Sequence, residues 1–259
     1  MKVTYIFHSG FLMETPQSYY IFDYYKGALP PLRPDKPAVV FSSHGHGDHY
    51  NPEIFQMLKD MGMQHILGVL SKDIPTKKYP ADTQIIKVHG RREYALPGGE
   101  SLETLISTDE GVAFVLDTGF GVIYHAGDLN DWTWEGESDS SNRQMRGSYR
   151  SHIDSLKGKA IDYAFLPLDP RQEKHYADGM AYFLSVVSPR AVFPMHYWQQ
   201  PDVINRFLSE YPQYKGIVNN TEEYLGGTTC SSLPFLFPVL FLHIQSGPYP
   251  VLKLDRKSV

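Results

Sequence analysis

Cysteine is almost absent from the 259-residue chain, which has only Cys230 and cannot form an intramolecular disulfide. Such scarcity is typical of proteins from reducing compartments. The chain also lacks a run of about 20 apolar residues, the length that a membrane-spanning helix needs. Its most apolar stretch, Leu233–Leu242, is shorter and contains two prolines, and the segment Val3–Phe7 is too short for a signal peptide. We therefore expect a cytoplasmic protein that does not cross a membrane.

The chain also has no excess of basic residues. The 24 Lys and Arg residues are outnumbered by 29 Asp and Glu residues, which gives a formal net charge of −5. Surfaces that bind nucleic acids are usually basic. We therefore expect no nucleic-acid partner and a small molecule as the substrate.

The most informative stretch is the sequence HGHGDH at residues 44–49. The apolar run Val39–Phe41 before it predicts a buried strand. The pair Asn51-Pro52 after it is typical of the start of a helix. The histidines therefore lie where a strand ends and a helix begins, which is a normal place for a site in an α/β protein.

The spacing of these side chains suits metal binding. Residues two apart in an extended segment point to the same side, so His44 and His46 can bind one ion. The chain then turns, and Asp48 and His49 can face a second ion. Imidazole and carboxylate groups are ligands of zinc, and two ions about 3.5–4 Å apart form a hydrolytic pair. The alternative is a histidine-rich surface loop, but the spacing favours a site for one or two zinc ions.

The motif and its position after a strand resemble those of the metallo-β-lactamase fold superfamily of metal-dependent hydrolases. More narrowly, the chain resembles the ascorbate-6-phosphate lactonase-like branch. The resemblance extends over most of the chain, and four further segments carry it: His8-Ser9-Gly10-Phe11, Ile21-Phe22-Asp23, Tyr124-His125-Ala126-Gly127-Asp128 and Pro194-Met195-His196-Tyr197.

This resemblance implies an α/β fold, the αββα four-layer sandwich, in a single hydrolase domain over residues 1–225. Residues 226–259 depart from the family pattern. We expect them to form an apolar tail that packs on the domain or on a neighbouring subunit, which leaves a homo-oligomer open.

The resemblance also implies a bridging carboxylate, Asp128, and a last histidine ligand, His196. The metal ligands expected in total are His44, His46, Asp48, His49, Asp128 and His196. The family has a further histidine in the loop that corresponds to Ser107–Gly111, but no histidine is present there. Asp109 could replace it, or the site could lack this ligand and hold one ion. A carboxylate in place of imidazole would shift the metal preference from zinc toward manganese or iron.

Three residues are candidates for contacts with the substrate. His8 lies in a predicted turn that the resemblance implies is near the metal cleft, although a structural hydrogen bond would explain it equally well. Related proteins use the region between the last two ligands for substrate. There, Arg171 could pair with a phosphate or carboxylate, and His175 could donate a proton. The alternative for both is a surface loop.

The expected function is that of a metal-dependent hydrolase, in which the metal makes hydroxide available at neutral pH. Asp48 is the expected catalytic residue, because it could orient that hydroxide and pass a proton to the leaving group. The substrate expected is a small anionic metabolite with a lactone, ester or phosphoester bond. The alternatives are a phosphodiesterase or nuclease of the same fold and a catalytically degenerate metal-binding protein.

Overall fold

The computed structural model describes residues 1–221, which form two six-stranded sheets with helices on the outer faces. The predicted αββα sandwich is therefore confirmed. Of the predicted domain, residues 222–225 lie outside the described residues, and so does the predicted tail at 226–259. Within residues 1–221, no helix is long and apolar enough to cross a membrane.

Each sheet combines antiparallel and parallel strands. In the first sheet, β1 to β3 are antiparallel and β3 to β6 are parallel. The strands of this sheet are β1 (Lys2–Phe7), β2 (Gly10–Glu14), β3 (Tyr19–Phe22), β4 (Ala38–Ser42), β5 (Ile66–Ser71) and β6 (Gln84–Val88).

The second sheet repeats this arrangement, with β7 to β10 antiparallel and β10 to β12 parallel. Its strands are β7 (Arg92–Ala95), β8 (Ser101–Ile106), β9 (Val112–Asp117), β10 (Val122–His125), β11 (Tyr163–Pro167) and β12 (Ala191–Met195). The helices are α1 (Glu53–Asp60), α2 (Asp139–Asp154), α3 (Asp178–Val186) and α4 (Asp202–Glu210).

An aromatic core fills the space between the two sheets. Phe22 of the first sheet stacks on Phe41 at 4.7 Å between ring centroids, and Phe11 packs across the sandwich on Phe165 at 4.4 Å. These rings are fully buried. Because each buried phenylalanine contributes about 1.5–3 kcal/mol, the core holds the strand ends, and therefore the loops that follow them, in fixed positions.

The structure differs from the sequence interpretation at two boundaries near the site. The predicted turn at residues 8–11 is shorter, since β2 already begins at Gly10 and Phe11 packs into the core between the sheets. The sequence pattern predicts an irregular segment over Trp132–Asn142, but helix α2 already begins at Asp139, because the Ser138 side chain accepts a hydrogen bond from the Ser141 amide and caps the helix.

Candidate metal centre

The HGHGDH loop follows β4 and is anchored through Ser43. The amide of Ser43 donates to Asp23 Oδ1, and its hydroxyl donates to Asp23 Oδ2, both at 2.7 Å. Two other loops pack against the same residue. A Cβ on Gly111 would lie 1.9 Å from the carbonyl oxygen of Ser43, and one on Gly127 would lie 2.6 Å from its Cβ. Both glycines have positive φ, so these close approaches depend on glycine.

All six residues predicted as metal ligands come together beside this loop, together with His8. Their ligand atoms form two groups, and within each group the atoms lie within 4.8 Å of one another. The first group is His44, His46 and Asp128, and the second is His8, Asp48, His49 and His196. The site lies beyond the carboxyl ends of β4, β10 and β12, as expected for an α/β sheet.

Asp128 belongs to the first group and also faces the second. Its Oδ2 is 3.5 Å from His44 Nε2, whereas its Oδ1 is 3.3 Å from His49 Nε2 and 3.5 Å from His196 Nε2. One oxygen therefore faces each group, which is the arrangement required of a carboxylate that bridges two ions.

The hydrogen bonds of the histidine Nδ1 atoms determine the tautomer of each ring. His49 Nδ1 donates to Asp23 Oδ2 at 2.8 Å, and His196 Nδ1 donates to Asp169 Oδ2 at 3.0 Å. Since the Ser43 hydroxyl donates to Asp23, its oxygen accepts from His44 Nδ1 at 3.0 Å. In the neutral rings, each Nε2 is therefore an acceptor, as a metal ligand requires.

The unpaired atoms of the site test whether these residues fit a metal. His8 Nε2, His49 Nε2 and Asp128 Oδ1 are buried and have no hydrogen-bond partner among the described residues. Buried polar atoms are normally paired. Here, lone pairs of imidazole and carboxylate face one another, and a cation between them would satisfy both. The donor set therefore fits a divalent metal ion.

The pKa values of His49 and Asp128 also indicate a site that favours a cation. Burial lowers the pKa of His49, but the carboxylates of Asp128 and Asp23 outweigh it and raise the pKa to about 9. Burial raises the pKa of Asp128, but the neighbouring His49 and His196 hold it below its usual value. The carboxylates therefore favour positive charge at this place, either as protons or as a metal ion.

His8 was predicted to contact the substrate, but its ligand atom groups with those of Asp48, His49 and His196. Its Nε2 lies 3.6 Å from Asp48 Oδ2, and its ring lies 4.3 Å from that of His196. The backbone of His8 has a φ of 58°, an uncommon conformation that turns the chain between β1 and β2. Burial and the neighbouring histidines lower the pKa of His8 to about 3, so the ring is neutral.

The loop Ser107–Gly111, which lacks the family histidine, packs against the HGHGDH loop. The Val112 amide at its end donates to the Ser43 carbonyl at 3.0 Å. Asp109 lines the same cavity as Asp128 but belongs to neither ligand group. Burial and the charge of Asp128 raise the pKa of Asp109. The half-exposed side chain of Glu110 lies 3.5 Å from His46 Nε2.

A cavity of about 550 Å³ opens above the two ligand groups. The residues that line it include Asp48, Asp128 and His196 of the ligand groups, and Arg171. The three tryptophans of the chain, which the sequence interpretation did not include in the site, also line it: Trp132, Trp134 and Trp198. The remaining lining residues are His46, Thr108, Asp109, Glu137, Ser141, Asn142 and Met145.

The two other substrate candidates differ in position. Arg171 pairs through Nε and Nη2 with Asp169, the same carboxylate that orients His196. His175 is not among the residues that line the cavity, and its Nδ1 lies 2.9 Å from Asp178 Oδ2. Asp169 was not predicted as a site residue; its only signal was its place two residues before Arg171 and two residues after the end of β11.

A model of the β-lactamase superfamily domain matches residues 2–139, which include the HGHGDH loop and Asp128. The chain belongs to this superfamily. The predictions of a metallo-β-lactamase fold and of a metal-dependent hydrolase are therefore confirmed at the level of the superfamily.

Curated relatives and a solved structure match most of the chain. A UPF0173 metal-dependent hydrolase from Desulforamulus reducens is 25% identical over 212 residues, which are 76% of this chain and 84% of the relative. A second one, from Heliobacterium modesticaldum, is 24% identical over 76% of this chain and 82% of its own length. Igni18, a metallo hydrolase from Ignicoccus hospitalis, has a similar fold, with a TM-score of 0.58, 18% identity and coverage of 84% of this chain and 93% of its own.

Proposed function

We propose that this chain hydrolyses a small anionic metabolite at a lactone, ester or phosphoester bond, with one or two metal ions held by the two ligand groups. The observation that supports this most is the bridging position of Asp128, whose two oxygens face the Nε2 atoms of His44, His49 and His196. Zinc is the metal that this mixture of imidazole and carboxylate ligands favours. Manganese or iron would be favoured if Asp109 is an additional ligand.

In this proposal, His44, His46 and Asp128 would hold one ion, and His8, Asp48, His49 and His196 would hold a second one. A bound divalent cation supplies Lewis acidity and lowers the pKa of water toward about 7. Asp23 and Asp169 keep His49 and His196 in the tautomer that leaves Nε2 free. Trp132 donates from its indole nitrogen to the Asp128 carbonyl at 2.8 Å and so fixes the loop that carries the bridging carboxylate.

Asp48 is the proposed catalytic residue. It belongs to the second ligand group and also lines the cavity, and its side chain is 28% exposed. A carboxylate in this position can orient the attacking water by accepting its hydrogen bond, and it can then pass the proton to the leaving group.

The size and charge of the cavity favour a small substrate. A volume of about 550 Å³ suits a metabolite. A polyanion such as RNA would instead meet the carboxylates of Asp48, Asp109 and Glu137 in the cavity lining. Arg171 keeps one terminal nitrogen, Nη1, without a hydrogen-bond partner among residues 1–221, and it is the group we propose for binding a substrate anion. The lactonase-like branch suggested by the sequence stays a prediction.

Turnover assays test this proposal. The full-length protein is stripped with a chelator, reloaded with zinc, manganese or iron, and assayed on a panel of lactones, aryl and alkyl esters, phosphomonoesters and bis-aryl phosphates. We expect hydrolysis of at least one small lactone, ester or phosphomonoester, lost on chelation and restored by metal. Preference for the bis-aryl phosphates would favour the phosphodiesterase or nuclease alternative. Bound metal with no turnover on any substrate would favour the degenerate metal-binding protein.

A further inference from the structure

The tryptophans of this chain are concentrated in one place. All three line the cavity above the ligand groups, although 64 residues separate Trp134 from Trp198. Trp198 is 39% exposed and is one of the few large hydrophobic side chains with such exposure among the described residues. An exposed indole that the fold does not need for its core is a candidate for binding a ligand.

The first wall of the cavity is rigid. Trp134 stacks on Trp132 with an angle of 5° between the rings and 5.9 Å between their centroids. The Asn142 side chain fixes the backbone of Trp134 from both sides, because its Oδ1 accepts from the Trp134 amide at 3.1 Å and its Nδ2 donates to the Trp134 carbonyl at 2.9 Å. Since Asn142 belongs to α2, the backbone of Trp134 is held by a helix.

The second wall is formed by Trp198 and Arg171. The guanidinium of Arg171 lies 4.5 Å from the ring centroid of Trp198 and 6.0 Å from that of Trp134, so both rings border the same part of the cavity. Trp198 has a φ of 48°, in the region that residues other than glycine rarely adopt. Packing on the His8 ring at 4.6 Å holds the indole there.

The charges near Trp134, Trp198 and Arg171 disfavour a second anionic group on the substrate. Arg171 is the only lysine or arginine among the lining residues, and Asp169 already offsets its charge. Glu137 lies at the same rim with Ser141, Asn142 and Met145. A flat apolar group would meet indole faces and a thioether here, whereas a second phosphate would meet a carboxylate.

We infer that the substrate carries an aromatic ring next to the scissile group, and that Trp134 and Trp198 bind this ring. This inference rests on the proposed function, because it places the substrate of that reaction in the same cavity. The substrate class is thereby narrowed to aryl-substituted lactones, esters or phosphoesters. Aromatic rings prefer offset-stacked or edge-to-face contacts with indole, and both indoles line the cavity.

Calorimetric titration of two phosphonates tests the inference without requiring turnover. Phenylphosphonate and methylphosphonate present the same anionic group to the zinc-loaded full-length protein and differ in the ring. We expect phenylphosphonate to bind at least about tenfold more tightly. In Trp134→Ala and in Trp198→Ala, the ratio of the two dissociation constants should fall to about threefold or less, and Trp134→Phe and Trp198→Phe should retain most of it.

Phe120→Ala is the matched control, since Phe120 is 46% exposed but lies in the turn between β9 and β10, away from the cavity. In Phe120→Ala, the ratio of the two dissociation constants should equal that of the wild type. A wild-type ratio near one, no binding of either phosphonate, or a ratio that both alanine variants retain would each overturn the inference. Failure of the proposed function is seen separately, as absence of turnover while the ratio of dissociation constants persists.

Discussion

Asp23 Oδ2 accepts a hydrogen bond from His49 Nδ1 at 2.8 Å, and this contact fixes the orientation of His49 Nε2 toward Asp128. Both residues are fully buried. Burial alone would raise the pKa of Asp23, but the neighbouring His125 and His49 hold it well below its usual value, so Asp23 stays ionised. The contact links the end of β3 to the HGHGDH loop and so joins the sheet to the metal centre.

The first prediction concerns this contact. Asp23→Asn removes the negative charge that holds the His49 tautomer, and we expect metal affinity to fall about 10–100-fold. Competition with a chromophoric chelator measures the affinity, and circular dichroism checks the fold. Asp35→Asn, at an exposed ion pair with Arg33, is the control and should bind metal like the wild type. Equal affinity in both variants would contradict the positioning role of Asp23.

A second prediction separates the two roles of Asp48. Asp48→Ala should lower kcat by about 100-fold or more, because it removes the carboxylate proposed to move the proton. The fold should persist, since the side chain is partly exposed and contributes little to the core. Rates are measured over a range of metal concentrations. Recovery of the full rate at high metal would show that Asp48 is a ligand and has no catalytic role.

The loop that lacks the family histidine gives a third prediction. If Asp109 is a ligand, Asp109→Asn should lower the occupancy of one ion, and Asp109→His should shift the preference toward zinc. Metal content is measured by elemental analysis after equilibration with mixed zinc and manganese. Glu110→Gln is the comparison, because Glu110 approaches His46 rather than Asp128. Unchanged content and selectivity in both Asp109 variants would mean that this position has no protein ligand.

A fourth prediction compares two glycines with the same backbone conformation. Gly111 and Gly119 have φ values of 73° and 74°, but only at Gly111 would a Cβ meet other atoms, namely those of Ser43 and His44. Gly119→Ala should therefore cost only the conformational strain, about 1–2 kcal/mol. Gly111→Ala adds a clash in a packed region and should cost about 1–3 kcal/mol more. Urea unfolding measures both, and equal losses would contradict the close approach of the two loops.

Local patterns in the sequence determined the part of the site that lies within a few residues of chain. The spacing of His44 and His46, the following turn to Asp48 and His49, and the strand before them are consequences of backbone geometry, which acts over short distances. The resemblance then implied Asp128 and His196, whose ligand atoms group with those of this loop because β4 of the first sheet and β10 and β12 of the second end at the same side of the sandwich.

The tertiary structure alone decided which distant side chains complete the centre. His8 joins the second ligand group because its positive φ and the packing of Phe11 direct the β1–β2 turn toward Asp48 and His196. Asp23 and Asp169 select the free nitrogens only because β3 and β11 end beside the histidines. Trp134 and Trp198 border one cavity because the loop before α2 and the segment after β12 meet above the metal centre. Hydrophobic periodicity does not predict such contacts. It indicates which face of an element is buried, but not which remote side chain that face contacts.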